Sequence, residues 1–215
     1  MREDIKLLQD ERIDDLQCKG LNIIQKKSGF RFGVDAVLLS DFAHIRKNDN
    51  VIDLGTGTGI IPLLLSVKTE ASQITGLEIQ AEMAEMAQRS VTMNRLEDKI
   101  NIICGDIKKV SELFEKSSFD CVVSNPPYIS GGGGKINPSD MKAISRHEIL
   151  CTLEQLVEST AYLLPPGGRF AFIHRPERLT DLIFYLRKNS LEPKFMRFVH
   201  PFPYKRPNLL LIKGT

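Results

Sequence analysis

The chain has 215 residues, of which 42% are apolar and 26% charged, and its formal net charge is +2. That length suffices for one domain with a full core, and the composition excludes a disordered, fibrous or disulfide-stapled chain. The opening MREDIKLLQDERID mixes acids and bases, and no apolar run approaches the roughly 20 residues of a membrane span, so a cytoplasmic protein with no membrane partner is expected.

Residues 1–29 read as an N-terminal extension to a domain spanning 30–215. The segment SGFRFGVDAVLLSDF, residues 28–42, predicts a short strand or turn and then a helix capped near Asp35, with Val37, Leu38 and Phe42 inside. From Asn50 to Ser124 short apolar runs alternate with longer amphipathic ones: VIDL and a stretch from Ile60, ITGLEI and Gln80 to Asn94, INIICGD and Lys108 to Lys116, then FDCVVS. This alternation predicts β-α-β-α units around a parallel sheet. After Ser124 a Gly/Pro-rich stretch to about Pro138, with glycines at 131–134, fits no periodic element and predicts a mobile loop. Ile149, Leu153, Leu156, Val157 and Leu164 then share a helix face ended by PPGG. RFAFIH predicts a strand, Glu177 to Asn189 a helix, and KFMRFVH and NLLLIK two closing strands.

Cys18, Cys104, Cys121 and Cys151 stand far apart with no C-x-x-C pair, and Cys104 and Cys121 lie in apolar runs, so buried free thiols are expected. His44, His147, His174 and His200 are equally scattered, and no metal is expected.

The first chemical signal is VIDLGTGTGIIPLL at 51–64, an apolar strand running into Gly55, Thr56, Gly57 and Gly59 and then a helical stretch. Glycine serves where the backbone turns sharply and a nucleotide-type ligand must approach without a Cβ in the way. The spacing is G-x-G-x-G, not the G-x-G-x-x-G of dinucleotide enzymes, and Asp53 stands just before the turn. A carboxylate there repels a pyrophosphate but suits the cationic amino group of S-adenosylmethionine, directly or through water. Glu78, with Ile79 beside it, ends the second strand 23 positions after Gly55, where a carboxylate can accept from both ribose hydroxyls. Asp106 follows the third strand, placed to accept from an adenine amino group while Ile107 covers the ring. Taken singly, each acid is an ordinary surface residue; at successive strand ends beside a glycine turn, together they favour a cofactor site.

SNPPY, residues 124–128, ends the fourth strand. Two prolines alone make a stiff turn. The Asn125 side-chain oxygen and the Pro126 main-chain oxygen also form a rigid acceptor pair, suited to an NH2 group with its two donors.

The combination of LGTGTG, Glu78, GDI and NPPY resembles the class I S-adenosylmethionine-dependent methyltransferases that modify amino nitrogens: adenine N6 of DNA or RNA, or a release-factor glutamine. The resemblance spans roughly residues 30 to 175 and is specific at NPPY. It implies a Rossmann-like seven-stranded α/β sheet flanked by helices, its last strand antiparallel. Asp53, Gly55, Thr56, Gly57, Gly59, Glu78, Ile79, Asp106, Ile107 and Asn125 would then lie on the cofactor, and Asn125, Pro126, Pro127 and Tyr128 would present the target, Tyr128 by stacking. The segment with Phe32 and Asp35 is similar to the one that covers the cofactor's methionine end in small adenine-N6 RNA methyltransferases, and the bacterial tRNA enzymes of this kind, acting next to the anticodon, are the nearest group.

Only about 30 residues precede the core, too few for the helical domain of the release-factor enzymes, and no target-recognition region is added as in DNA methyltransferases, so a folded tRNA is the expected substrate. Methylation of a protein glutamine or of DNA adenine stays open as the alternative. The C-terminal part is locally basic: Lys194, Arg197, His200, Lys205, Arg206 and Lys213 are either a solvated face or phosphate contacts, with Arg197, Lys205 and Arg206 the candidates. Arg146, in RHE at 146–148, is a further candidate substrate contact, or simply part of a charged helix start.

Overall fold

The alternation of apolar runs does fold as strands and helices. The computed structural model describes residues 6–28, 33–126 and 151–215. In chain order it holds β1 (Glu11–Asp15), β2 (Asn22–Lys26), α1 (Val34–Phe42), β3 (Asn50–Leu54), α2 (Ile60–Lys68), β4 (Gln73–Glu78), α3 (Ala81–Met93), β5 (Ile100–Cys104), α4 (Val110–Leu113), β6 (Cys121–Ser124), α5 (Leu153–Leu163), β7 (Arg169–His174), α6 (Leu179–Lys188), β8 (Pro193–Val199) and β9 (Leu209–Gly214).

Seven strands form one sheet in the order β5-β4-β3-β6-β7-β9-β8. Strands β3 to β7 pair in parallel, and β9 runs antiparallel to both β7 and β8. This is the seven-stranded sheet with an antiparallel last strand that the motifs imply. Parallel strands need helical crossovers, and helices on both faces explain why β3, β4, β6 and β7 are nearly continuous apolar runs. One face is packed by Leu39, Leu63, Leu65 and Val91 against Val51, Ile74, Val123 and Leu211. The other is packed by Leu156, Val157, Leu182 and Leu186 against Ile52, Val122, Phe170 and Phe172. Strand order reverses between β3 and β6, so the crevice that open α/β sheets use for ligands lies at the carboxyl ends of those two strands.

The structure adds one element and changes three expectations. The N-terminal stretch contains an antiparallel hairpin, β1 with β2, whose Ile23 and Ile24 are fully buried and whose Glu11 takes two hydrogen bonds of 2.7 Å from Arg89 of α3. Residues 108–116 do not form one helix; a 3-10 turn at Ile107–Lys109 leads into the four residues of α4. The chain leaves the helix there because Phe114 turns to pack edge-on against Phe119, ring centroids 5.2 Å apart. Cys104 is exposed because β5 is an edge strand, and of the four thiols only Cys121 is fully buried. Helix α1 begins at Val34 after Gly33 with no side-chain cap, so Asp35 lies in its first turn and does not cap it. Ile149 and the glycine loop lie outside the described residues. Among the described residues no helix is long and apolar enough to cross a membrane.

Candidate active site

The glycine turn after β3 is bound back across the sheet: the Gly55 and Thr56 amides donate to the Leu77 carbonyl of β4 at 2.9 and 3.0 Å. Gly57 and Gly59 have φ of +58° and +84°, the left-handed region that disfavours side chains. A Cβ on Gly59 would press on Ala87 Cβ at 3.1 Å, so this glycine lets α2 start against α3. At Gly57 a Cβ would meet nothing within 4 Å; that side of the loop is open to a ligand.

Glu78, 3% exposed, is locked into this loop. Its Oε2 accepts from the Gly57 amide at 2.9 Å and its Oε1 from the Gln80 amide at 3.0 Å. Each oxygen retains further lone-pair capacity, which two vicinal hydroxyls can use. Ile79, next in the chain, is half-buried. Asp106 begins the 3-10 turn, its Oδ1 accepting from the Lys108 amide at 2.9 Å. Ile107 reaches across to the glycine turn, its Cδ1 3.9 Å from where a Gly55 Cβ would lie, and Ser159 of α5 holds the Ile107 carbonyl at 2.8 Å. A Glu78→Ala variant is expected to weaken S-adenosylmethionine binding by about 1–3 kcal/mol, the range for hydrogen bonds to a charged group. Titration calorimetry decides it, and an unchanged dissociation constant removes the ribose role.

Asp53 is fully buried in β3, between Gly76 of β4 and Val123 of β6. Neither carboxylate oxygen, nor the Thr56 hydroxyl, has a hydrogen-bond partner among the described residues. Burial pushes the Asp53 carboxyl up to about 7; the nearby Thr56 hydroxyl pulls the other way without reaching hydrogen-bonding geometry, and the Glu78 charge adds to the rise. An orphaned buried carboxylate beside an open glycine turn fits a cationic ligand group. Asp53 and the Thr56 hydroxyl, both buried, stand together behind the glycine turn.

The other half of the site hangs from β6. Ser124, buried and missed by sequence reasoning, donates its hydroxyl to the Leu54 carbonyl at 2.7 Å and so ties the end of β6 to the start of the glycine turn. A serine closing the buried run CVVS was the available signal. Asn125 follows, half-buried; its Nδ2 donates to Asp35 Oδ2 at 3.2 Å, which orients the amide with Oδ1 as its acceptor. Pro126 is half-buried beside it. Phe32, Pro127, Tyr128 and Arg146 lie outside the described residues.

The structure thus brings Asp53, Gly55, Thr56, Gly57, Gly59, Glu78, Asp106, Ile107, Asp35 and Asn125 to one edge of the sheet. It separates the basic candidates. All three are exposed, but Arg197 lies in the middle of β8 with its guanidinium over the Phe42 ring at 5.3 Å, whereas Lys205 and Arg206 lie in the β8–β9 loop. Among the described residues no group of three His, Cys, Asp or Glu side chains could hold a metal ion.

Residues 33–179 match the family described as Methyltransferase small domain. A tRNA1(Val) (adenine(37)-N6)-methyltransferase of Porphyromonas gingivalis is 32% identical over 204 residues, which cover 92% of this chain and 79% of that protein. Among solved structures, a predicted O-methyltransferase from Agrobacterium tumefaciens superposes with a TM-score of 0.66 at 21% identity, covering 84% of this chain and 79% of that one. Geranyl diphosphate C-methyltransferase from Streptomyces coelicolor A3(2), solved with S-adenosyl-L-homocysteine, superposes at 0.61 with 13% identity, covering 83% and 78%. Sheet order, glycine turn and these likenesses agree: the chain belongs to the methyltransferase small domain family and is a class I methyltransferase with S-adenosylmethionine as its cofactor.

Proposed function

We propose that the chain methylates the N6 amine of an adenine next to the anticodon of a tRNA. The observation that carries this reading is the Asn125 amide, oriented by Asp35 and fixed to the glycine turn through Ser124. The activity for which the Porphyromonas gingivalis relative is named supports the choice of adenine and of tRNA.

An exocyclic amine on a purine is a poor nucleophile because its lone pair is delocalised into the ring. When bound, S-adenosylmethionine supplies an electrophilic methyl group. Asn125 Oδ1 and the Pro126 carbonyl accept from the two N–H bonds of the amine. That grip would direct the lone pair toward the methyl group as the methyl's bond to sulfur breaks, and would stabilise the positive charge growing on nitrogen until one N–H proton is lost to water. Positioning does the rest of the work, with no nucleophilic side chain required. Asp53, Glu78, Asp106 and Ile107 hold the cofactor's amino group, ribose and adenine in this reading, with Ile79 beside Glu78 and Phe32 assigned to the cofactor by the resemblance alone. From the motif alone, Pro127, Tyr128 and Arg146 are assigned to the target side, Tyr128 by stacking, and Lys205 and Arg206 are assigned to the RNA. Arg197, occupied on Phe42, is the weakest of the basic candidates.

The test is transfer of a radiolabelled methyl group from S-adenosylmethionine to total tRNA, genomic DNA and release-factor protein in parallel. Label in tRNA alone is expected. Label in the release factor alone would transfer the acceptor role of Asn125 to a glutamine amide.

A further inference from the structure

The loop between β8 and β9, residues 200–208, leaves the sheet at the same edge as the active site. Val199 pairs with Leu209, and Leu210 with His174 at the carboxyl end of β7. Two strand spacings, about 10 Å in all, separate β9 from β6, the strand that Asn125 follows. From Pro193 to Asn208 the chain carries Lys194, Arg197, His200, Lys205 and Arg206 and no acid.

The loop also presents rings to water. Phe202 is 57% and Tyr204 81% exposed, and the two lie stacked, centroids 6.0 Å apart and planes 14° from parallel. This arrangement is held in place. Pro201, Pro203 and Pro207 restrict φ, and the Lys205 amide donates to the Phe202 carbonyl at 3.0 Å. His200 Nδ1 lies 2.7 Å from the Lys205 carbonyl oxygen, and Arg175 of the β7–α6 connection donates to the Asn208 carbonyl at 3.0 Å. Lys205 Nζ stands 5.9 Å from the centre of the Tyr204 ring. Neither ring helps to fill a core, and both are kept flat and open on a stiffened loop whose charges are all positive. Exposed rings between cations match the chemistry of single-stranded nucleic acid, whose bases stack and whose phosphates are anionic.

We propose that this loop is a nucleobase platform: an unpaired base near the methylated one stacks on the Tyr204–Phe202 pair while Lys205 and Arg206 take the adjoining phosphates. The inference rests on the RNA substrate proposed above and identifies the part of it that this loop receives, an unpaired strand. Stacking on protein rings tolerates any base, so the platform adds affinity and sets the path of the strand, while Asn125 selects the amine.

Steady-state kinetics on unmodified tRNA, at several salt concentrations, test it. The Phe202→Ala/Tyr204→Ala variant is expected to raise KM for tRNA about tenfold or more. Its melting temperature, its affinity for S-adenosylmethionine and the salt dependence of its KM should stay those of the unaltered protein. Tyr204→Phe keeps the ring and should retain the original KM. Lys205→Ala/Arg206→Ala should also raise KM, and should lower the slope of log KM against log salt by about one to two. Should the double aromatic variant melt early, Tyr204→Ala alone, at a side chain almost wholly in water, gives the reading. A KM within twofold of the original in these aromatic variants overturns the platform while leaving the tRNA activity intact. An unaltered protein that labels no tRNA overturns the activity and the platform together.

Discussion

Replacing Asn125 with alanine should reduce turnover by about 10²–10³-fold, the loss seen when one pre-oriented polar contact to a developing charge is removed. Cofactor affinity should change by less than about threefold, because Asn125 donates its amide N–H to Asp35 and its Oδ1 acceptor is assigned to the target amine. Asp35→Ala should cost less, since it frees the amide to rotate without deleting it. Calorimetry for the cofactor and single-turnover transfer for the chemistry separate these effects. If S-adenosylmethionine binding falls as far as turnover does, Asn125 belongs to the cofactor pocket and the acceptor pair has been misassigned.

Asp53 gives the second large effect. Its carboxyl sits at about 7 in the folded chain against an ordinary 3.8, with burial the main cause. Between those values the folded chain keeps a proton that the unfolded chain has lost, so stability falls as pH climbs from about 4 to about 7 and then levels off. A shift of that size corresponds to roughly 4 kcal/mol of cost at neutral pH and above. Asp53→Asn should therefore raise the melting temperature of the ligand-free protein, by more at pH 8 than at pH 5. The cofactor's cationic amino group favours the ionised carboxylate, so S-adenosylmethionine affinity in the unaltered protein should strengthen as pH rises through about 7. The asparagine variant should lose that pH dependence and bind about tenfold or more weakly at pH 8. Equal affinity of the unaltered protein at pH 6 and pH 8 would exclude Asp53 from cofactor binding.

These two residues also show how far the sequence is legible. The turn from β3 into α2 and the placing of Glu78 and Asp106 at strand ends depend on runs of ten to thirty neighbours, and apolar periodicity with glycine spacing reports such local order. The contacts that make the site precise join distant positions: Asn125 to Asp35 across 90 residues and Ser124 to Leu54 across 70. No local pattern carries them. The β1–β2 hairpin was missed because ERIDD is mostly polar; its strand character comes from pairing with β2 and from the Glu11–Arg89 contact on α3. Cys104 was misjudged because an apolar run does not reveal that its strand lies at a sheet edge. Arg197 and Lys205 read alike as basic residues, and only the sheet separates a cation packed on Phe42 from one in the loop at the active-site edge.

In the proposed reaction the methyl group goes to an exocyclic amine of adenine in tRNA. Unmodified tRNA incubated with the protein and S-adenosylmethionine, digested to nucleosides and separated before mass spectrometry, tests it directly. N6-methyladenosine is expected in the wild-type reaction, with a loss of at least about a hundredfold in that product with Asn125→Ala. A methyl group on a ring carbon of adenine, or a tRNA left unmodified while a release-factor glutamine is methylated under the same conditions, would contradict it.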